Sequence, residues 1–375
     1  MQDSETLRYL IALPLLQEVG NKRSKEFYDF FGDAKSVFQA SAKDLETIPN
    51  IGRQTISAIL SSREQALKRA DEELRFIDKH KIQPLFLEDE AYPARLRECQ
   101  DAPLLLFAKG NVDANRTHML SVVGTRMPSD RGKERCRKII LELAERVKDL
   151  VIVSGLAYGI DVTAHKAALE AKIPTIIIPG HGLDRIYPAV HRQVAIDSLE
   201  KGGILTEYMS GTSPDRQNFV ARNRIIAGLS DATLVVESKE KGGSLITADM
   251  AWGYDRDVLT FPGRPEDPCS KGCNQLIKQQ KAALIEDAND LLATLRWEES
   301  QVTKSPQQTE LFTQLSDEEL QIVELLSQYE DGLQVNRLAM EVKVAFSKLT
   351  SMLFNLELSG IVKSLPGGIY RLRTP

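Results

Sequence analysis

This sequence predicts an α/β protein built on a doubly wound, mostly parallel sheet, with a helical module before it and a second small module after it. Three observations carry that expectation. Between about residues 82 and 296, short and wholly apolar runs rich in β-branched residues alternate with helical segments. The stretch before them shows helical spacing alone, and the stretch after them reads as three helices and a hairpin. Fully apolar strands separated by helices mark a parallel sheet covered on both faces.

At the start of the chain, Leu7, Leu10, Ile11 and Leu15 recur at the helical period, as do Leu67, Leu74 and Ile77. Between them, Leu45-Glu46-Thr47-Ile48-Pro49-Asn50-Ile51-Gly52-Arg53 reads as a helix, a tight glycine turn and a second helix. Such a hairpin is either a plain helix–helix turn or a helix-hairpin-helix whose amides hold a phosphate. One copy leaves both readings open, so residues 1–79 are expected to form a helical domain of SAM or helix-hairpin-helix type.

Strand-like runs follow at 120–123, 151–153, 175–178, 204–207, 233–237 and 258–261. Helical segments fall at 132–147, 161–171, 190–199, 221–229 and 245–252. Residues 80–297 are thus expected to form a Rossmann-like domain, whose ligands lie beyond the carboxyl ends of its strands. Residues 298–313 are polar and aperiodic and read as a linker. Residues 314–375 read as a winged-helix-like domain. There Ser316 precedes Asp317-Glu318-Glu319 in the manner of a capping box, helices are expected at 318–328, 335–341 and 346–359, and a hairpin at 361–365 and 369–372. The third of these helices carries one lysine, Lys348, where a reader of the major groove has more cations. A protein-contacting or regulatory role is therefore favoured for this module.

Composition narrows the function. A chain of 375 residues that is 42% hydrophobic and 27% charged is neither disordered nor fibrous. Its net charge of -5 excludes a general polyanion binder, so any nucleic-acid contact must come from a local basic surface. Four cysteines, Cys99, Cys136, Cys269 and Cys273, are too few for a disulfide scaffold, and Cys269 and Cys273 stand without the second pair that a zinc ribbon needs. No metal and no cofactor is expected. The acidic start, Met1-Gln2-Asp3-Ser4-Glu5, has no signal-peptide pattern, and no apolar run nears the roughly 20 residues of a membrane span. The expected protein is cytoplasmic and free of membrane partners.

Five loops follow strand ends and gather on one face. The first is Val123-Gly124-Thr125-Arg126, where the glycine lets amides approach a ligand, Arg126 offers a bidentate anion grip, and a helix begins soon after. The second is Ser154-Gly155-Leu156-Ala157-Tyr158-Gly159-Ile160-Asp161, with His165 a turn later. Its serine and two glycines suit a phosphate nest, although Asp161 reads equally as a helix N-cap and His165 more readily as a structural residue than a base. The third, residues 179–188, carries Arg185 and Tyr187.

The fourth is Phe219-Val220-Ala221-Arg222-Asn223-Arg224, at what reads as the start of an apolar helix. Two cations at the mouth of a buried element call for an anion, either an internal carboxylate or a bound phosphate. The fifth, Lys241-Gly242-Gly243-Ser244, sets amides at a helix N-terminus. Candidates for stacking a base are Tyr158, Tyr187, Tyr208 and Phe219.

Seven motifs occur in one order: Ser121-Val122-Val123-Gly124-Thr125-Arg126, the loop and helix at 154–165, Asp184-Arg185-Ile186-Tyr187-Pro188, the segment at 222–230, the segment at 243–248, Phe261-Pro262-Gly263, and Gly272-Cys273-Asn274-Gln275-Leu276-Ile277. Together they resemble the DNA-processing protein A (DprA/Smf) family over about residues 85–292. The resemblance implies a non-catalytic, single-stranded DNA-binding recombination mediator. Such a protein loads RecA on single strands, supports DNA uptake and natural transformation, and forms a homodimer, with single-strand-binding protein as a further partner.

Carried over, the family's DNA contacts point to Arg126 and to the Arg222-Asn223-Arg224 motif, with Phe219 as a stacking neighbour. The expected DNA-binding set is Gly124, Thr125, Arg126, Ser154, Gly155, Gly159, Arg185, Phe219, Arg222, Asn223, Arg224, Gly243 and Ser244, with no catalytic residue. Val220, Thr206 and Gly242 depart from the family's usual residues, which bears on the shape of the pocket.

Two other classes compete. An enzyme acting on a nucleotide is permitted by the fold and the glycine loops, but the Pro-Gly-Gly-x-Gly-Thr loop and acid/base pair of the related nucleotide hydrolases are lacking. A duplex-DNA regulator reading through the C-terminal module is opposed by that module's low positive charge.

Overall fold

The computed structural model describes residues 3–297, 316–327, 329, 332–342, 344–358, 361–365 and 368–372. The contacts divide the chain into two compact units, Met1–Gln301 and Val302–Pro375. The expected linker at 298–313 and the expected helix ends at 328 and 359 lie outside the described residues.

The first unit opens with helices α1 (Ser4–Ala12), α2 (Gly20–Phe31), α3 (Ala34–Gln39), α4 (Ala42–Glu46) and α5 (Arg53–His80). Local chemistry fixes their ends. The Asp3 carboxylate accepts the Thr6 amide at 2.6 Å to start α1, and Gly32, at φ 81°, ends α2. Ser41 and Asp44 form a reciprocal capping box at α4. The expected hairpin is α4, a turn with Asn50 at φ 61°, and α5 capped by Gly52.

The sheet follows with β1 (Gln83–Phe86), α6 (Ala94–Arg97), β2 (Leu105–Gly110), β3 (His118–Val123), α7 (Asp130–Arg146), β4 (Leu150–Ser154), α8 (Ile160–Glu170), β5 (Thr175–Ile177) and α9 (Arg192–Asp197). It continues with β6 (Gly203–Thr206), α10 (Arg216–Leu229), β7 (Ala232–Val235), α11 (Gly243–Gly253), β8 (Asp257–Thr260), α12 (Lys271–Lys278), β9 (Ala283–Leu284) and α13 (Ala288–Leu295). The order across the sheet is β1-β2-β6-β5-β4-β3-β7-β8-β9. From β6 to β9 every pairing is parallel, and β2 joins β6 antiparallel with β1 outside it.

The six expected strand runs correspond to β3 through β8. Of the three strands outside the expected runs, β1 and β9 are the two edges of the sheet, and β2 lies between β1 and β6. β1 carries Pro84, which an edge strand tolerates, and β9 is two exposed residues.

The chain leaves β3 toward β4 on one side and returns to β7 on the other. The strand order reverses at β3, so a crevice opens between the loops that follow β3 and β7. Two cores sandwich the sheet. One contains Ile139, Ile140, Leu143 and Ala164 of α7 and α8 against Leu120, Ile152 and Leu234. The other contains Ile225 and Leu229 of α10 and Ala248 of α11, and runs on without a break into Leu10, Phe27, Ile59 and Ala66 of the N-terminal helices.

Helix α10 departs from expectation. It begins at Arg216, not near Ala221, because the Asp215 carboxylate accepts the Asn218 amide at 2.9 Å and caps it. Phe219 through Arg224 are therefore mid-helix. At 100° per residue, side chains two apart point to roughly opposite sides of a helix, so Arg222 and Arg224 cannot share one surface.

The second unit holds α14 (Asp317–Ser327), β10 (Leu333–Gln334), α15 (Val335–Val342), α16 (Phe346–Leu358), β11 (Val362–Leu365) and β12 (Ile369–Leu372). Ser316 and Glu319 make the expected capping box, with the Glu319 amide donating to Ser316 Oγ at 3.3 Å. The hairpin β11–β12 gains β10 as a third, antiparallel strand, which gives the winged-helix arrangement around Ile322, Leu338, Leu349 and Leu353. Among the described residues no helix is long and apolar enough to cross a membrane, and no three His, Cys, Asp or Glu side chains gather as metal ligands.

Candidate nucleic-acid interface

A cleft of 690 Å³ lies beyond the carboxyl ends of β3 and β7. Its lining includes Gly124, Thr125, Arg126, Phe219, Arg222, Asn223, Gly243 and Ser244 from the expected set. Arg216, Lys239 and Lys241 also line it. Sequence reasoning did not select those three.

The loop after β3 is held by close backbone packing. Thr125 donates its amide to the Glu237 carbonyl at 2.8 Å, and the Ile160 amide donates to the Thr125 carbonyl at 3.3 Å. Gly159 sits at φ 83°, and a Cβ there would strike the backbone of Thr125 and Arg126. A Cβ on Gly124 would sit 2.5 Å from Ile160 Cγ1. Both glycines thus serve to bring two loops together, which sets Arg126 at the rim. Arg126 is exposed and, among the described residues, has no carboxylate partner. Its guanidinium carbon stands 6.0 Å from the centre of the Phe219 ring.

The α7 N-terminus behind this loop is not open to a ligand, contrary to the sequence reading. The Glu237 carboxylate accepts from the Ser129 amide at 2.9 Å and from the Ser129 hydroxyl at 2.5 Å, and a Cβ on Gly132 would collide with it. The protein's own anion occupies that helix end.

Arg222 comes from the cleft face of α10 and is 4% exposed. Its Nη1 donates to the Gly155 carbonyl at 2.9 Å, and its Nε is buried without an acceptor. Burial pushes its pKa down to about 10, opposed by the nearby Asp161 charge. Asp161 is likewise buried, which pushes its carboxyl pKa up against the pull of Arg222.

The N-cap of α8 is Gly159, not Asp161; the Asp161 carboxylate instead accepts the Ala157 amide at 3.3 Å. Gly155 supplies the carbonyl and the empty space that seat Arg222, since a Cβ there would meet the guanidinium. Ser154 is fully buried and donates to the Val122 carbonyl at 2.7 Å, tying β4 to β3.

Arg224 points the other way. It pairs with Glu207 at 2.5 Å, and Glu207 also accepts from Asn21 of α2 at 3.0 Å. Glu207 is buried, which raises its pKa against the pull of Arg224. Arg224 therefore ties α10 to the N-terminal helices and does not line the cleft. Arg185 pairs with its neighbour Asp184 at 2.7 Å and also stands outside the lining.

Aromatic residues form one wall. The rings of Tyr187 and Phe219 stack with centres 5.7 Å apart and planes 27° apart. Tyr208 donates its hydroxyl to the Asn218 carbonyl at 3.2 Å, and Tyr158 meets His191 edge-on; both are packing contacts. His165 shares a hydrogen bond with Thr175 Oγ1 at 2.7 Å and is fully buried, which pushes its pKa down to about 3. It is neutral and structural.

Helix α11, which also lines the cleft, begins behind Gly242, which contributes no side-chain cap. Ser244 Oγ turns inward to Ser238 Oγ at 2.9 Å. The lining as a whole sets Arg126, Arg216, Arg222, Lys239 and Lys241 against a single carboxylate, Asp161. A chain of net charge -5 thus carries a concentrated positive cleft. Lys239 and Lys241 were legible as cations flanking a glycine loop after a strand. Arg216 was hidden by the misplaced start of α10.

Residues 83–296 match the family model described as DNA recombination-mediator protein A, and residues 304–368 match that of the DprA winged helix domain. Protein Smf of Synechocystis is 36% identical over 294 residues, which cover 76% of this chain and 72% of that protein. DNA processing protein DprA of Streptococcus pneumoniae is 43% identical over 205 residues, covering 55% of this chain and 71% of that protein. The X-ray structure of the Streptococcus pneumoniae protein superposes with a TM-score of 0.64 at 33% identity, over 78% of this chain and 98% of that one. A structure of DNA processing protein A from Helicobacter pylori, described for its single-stranded DNA binding mode, superposes with a TM-score of 0.52 at 29% identity, over 58% of this chain and 96% of that one.

Proposed function

This chain belongs to the DNA recombination-mediator protein A family, and from that membership we propose that it binds single-stranded DNA in the cleft and loads RecA recombinase onto the strand. The observation that carries the reading is the cleft lining, five cations against one carboxylate at the switch point of the sheet. Arg126, Arg216, Lys239 and Lys241 grip the backbone, Phe219 and Tyr187 stack a base, and Asn223, Gly243 and Ser244 offer hydrogen bonds. Gly124, Thr125, Ser154, Gly155 and Gly159 shape the loops, and Arg222 supplies charge from below. Arg224 braces the fold, and Arg185 lies outside the grip.

The protein acts without turnover: His165, which follows the second loop, is buried and bonded to Thr175 and is not part of the cleft lining. Its place is the cytoplasm, as a homodimer, on strands that single-strand-binding protein also covers, in DNA uptake and transformation. Domains at 1–79, 80–297 and 314–375, joined by a linker at 298–313, divide the work among bracing helices, DNA cleft and regulatory module.

The test mixes the protein, single-strand-binding protein, RecA and a labelled strand, and follows filament growth. Faster RecA assembly on an intact strand is expected. No acceleration, although the strand is bound, would remove the mediator role.

A further inference from the structure

Arg222 poses a problem that a solvated phosphodiester backbone at the rim does not solve. It is 4% exposed, yet among the described residues its guanidinium finds one acceptor, the Gly155 carbonyl, and its Nε is buried with none. No ion pair joins it to Asp161, the one carboxylate of the lining. A buried, under-bonded cation is costly unless an anion completes it.

The same cleft receives the N-terminus of α11, an 11-residue helix whose cap, Gly242, gives no side-chain acceptor to its first-turn amides. Lys239 and Lys241 stand just before it. The Tyr187–Phe219 stack lies in the same lining. At 690 Å³ the cleft falls within the roughly 300–1,000 Å³ of sites that enclose small molecules.

We propose that the cleft is a nucleotide pocket that prefers a phosphomonoester: it seats one nucleoside 5′-monophosphate unit, phosphate toward the α11 N-terminus and the cations, base on the Phe219 ring. The proposal rests on the reading of this cleft as the DNA site and sharpens what that site selects. A phosphomonoester carries about -1.5 to -2 charges at pH 7 and three acceptor oxygens, against one charge for a phosphodiester. A lining with five cations, one of them buried and short of acceptors, favours the more highly charged group. Two sources present it, a free nucleotide and the phosphorylated end of a strand.

The experiment uses the full chain. Thymidine 5′-monophosphate and thymidine are titrated by calorimetry. Each also competes against a labelled, 5′-hydroxyl oligothymidylate, as do unlabelled oligothymidylates with and without a 5′-phosphate. The monophosphate is expected to bind about tenfold or more tightly than thymidine. That advantage should fade as pH falls through about 6, where the phosphate loses its second charge. Lys241→Ala, at an exposed position that leaves folding alone, should cut the advantage severalfold.

A gain for the 5′-phosphorylated strand names strand ends as the source, and a gain confined to the free nucleotide names nucleotides. Equal binding of monophosphate and thymidine, with no gain for the phosphorylated strand, would overturn the proposal while the labelled strand still binds. Failure of the labelled strand itself to bind would instead strike the DNA reading, and calorimetry would still judge the pocket.

Discussion

At the scale of single residues, two arginines of the expected binding set do different work, and the contrast can be measured. Arg126 is exposed and unpaired among the described residues, so Arg126→Ala should leave the thermal midpoint nearly unchanged. It should weaken single-strand binding by about 1.5–3 kcal/mol and reduce the slope of log K against log salt by about 0.7. Arg224→Ala should do the reverse. It strands the buried Glu207 carboxylate and should cost about 3 kcal/mol or more of stability, with an unchanged salt slope in the protein that remains folded. A salt slope altered by Arg224→Ala and unaltered by Arg126→Ala would exchange their roles.

His165 yields a pH prediction. Its folded pKa of about 3 lies below the ordinary 6.5, so unfolding takes up a proton that the folded state refuses. Its contribution is complete above about pH 6.5 and is lost as pH falls toward 3, at no more than about 1.4 kcal/mol per unit. Urea midpoints at pH 7, 6 and 5 should fall, and less steeply in His165→Gln; parallel slopes would assign the acid sensitivity elsewhere. The sequence showed these residue types at the right loops. It did not show which arginine turned inward, because that depends on where a helix starts.

Among the elements, α10 decides the site. The expected start at Ala221 followed the apolar run that begins at Ile225, whereas the polar first turns, Arg216-Gln217-Asn218, hide the helical period. The signal was Asp215, a good N-cap directly after Pro214. Strands β3 through β8 were legible because buried parallel strands are wholly apolar; β1 and β9 were not, because edge strands lack that signature.

The segment leading into α10 is clamped from α5. Glu73, buried, accepts the Ser210 amide at 2.9 Å and the Ser210 hydroxyl at 2.5 Å, and Arg69 pairs with Glu73 at 2.8 Å and donates to the Ser210 carbonyl. This clamp fixes the approach to Asp215, and so the pose of Phe219 and Arg222. Glu73→Ala should cost about 2–3 kcal/mol and weaken strand binding without changing the salt slope, since no cation leaves the cleft. Glu73→Gln, which keeps the acceptor, should recover most of the affinity. Wild-type affinity in Glu73→Ala would show that α10 holds its pose unaided.

For the whole molecule, the sequence divides the chain by changes of pattern, but a core is shared by packing, which pattern does not reveal. Leu10, Phe27, Ile59 and Ala66 belong to the same continuous core as Leu106, Ile225 and Ala248. The winged-helix unit has a separate core around Ile322, Leu338 and Leu353. Deletion should therefore be strongly asymmetric. A chain ending at residue 301 should unfold at the midpoint of the first unit in the full chain and keep its strand affinity, because it loses no residue of that core or of the cleft.

A chain beginning at residue 80 should lose soluble expression. It would expose Phe86, Leu105 and Phe107, whose shared face meets the N-terminal helices, and it would unpair Glu207 from Asn21 and Ser210 from Glu73. Scanning calorimetry of the two truncations against the full chain decides the matter. A stable, strand-binding chain from residue 80 would make the N-terminal helices an independent module and confine the brace to Arg224 and Glu207.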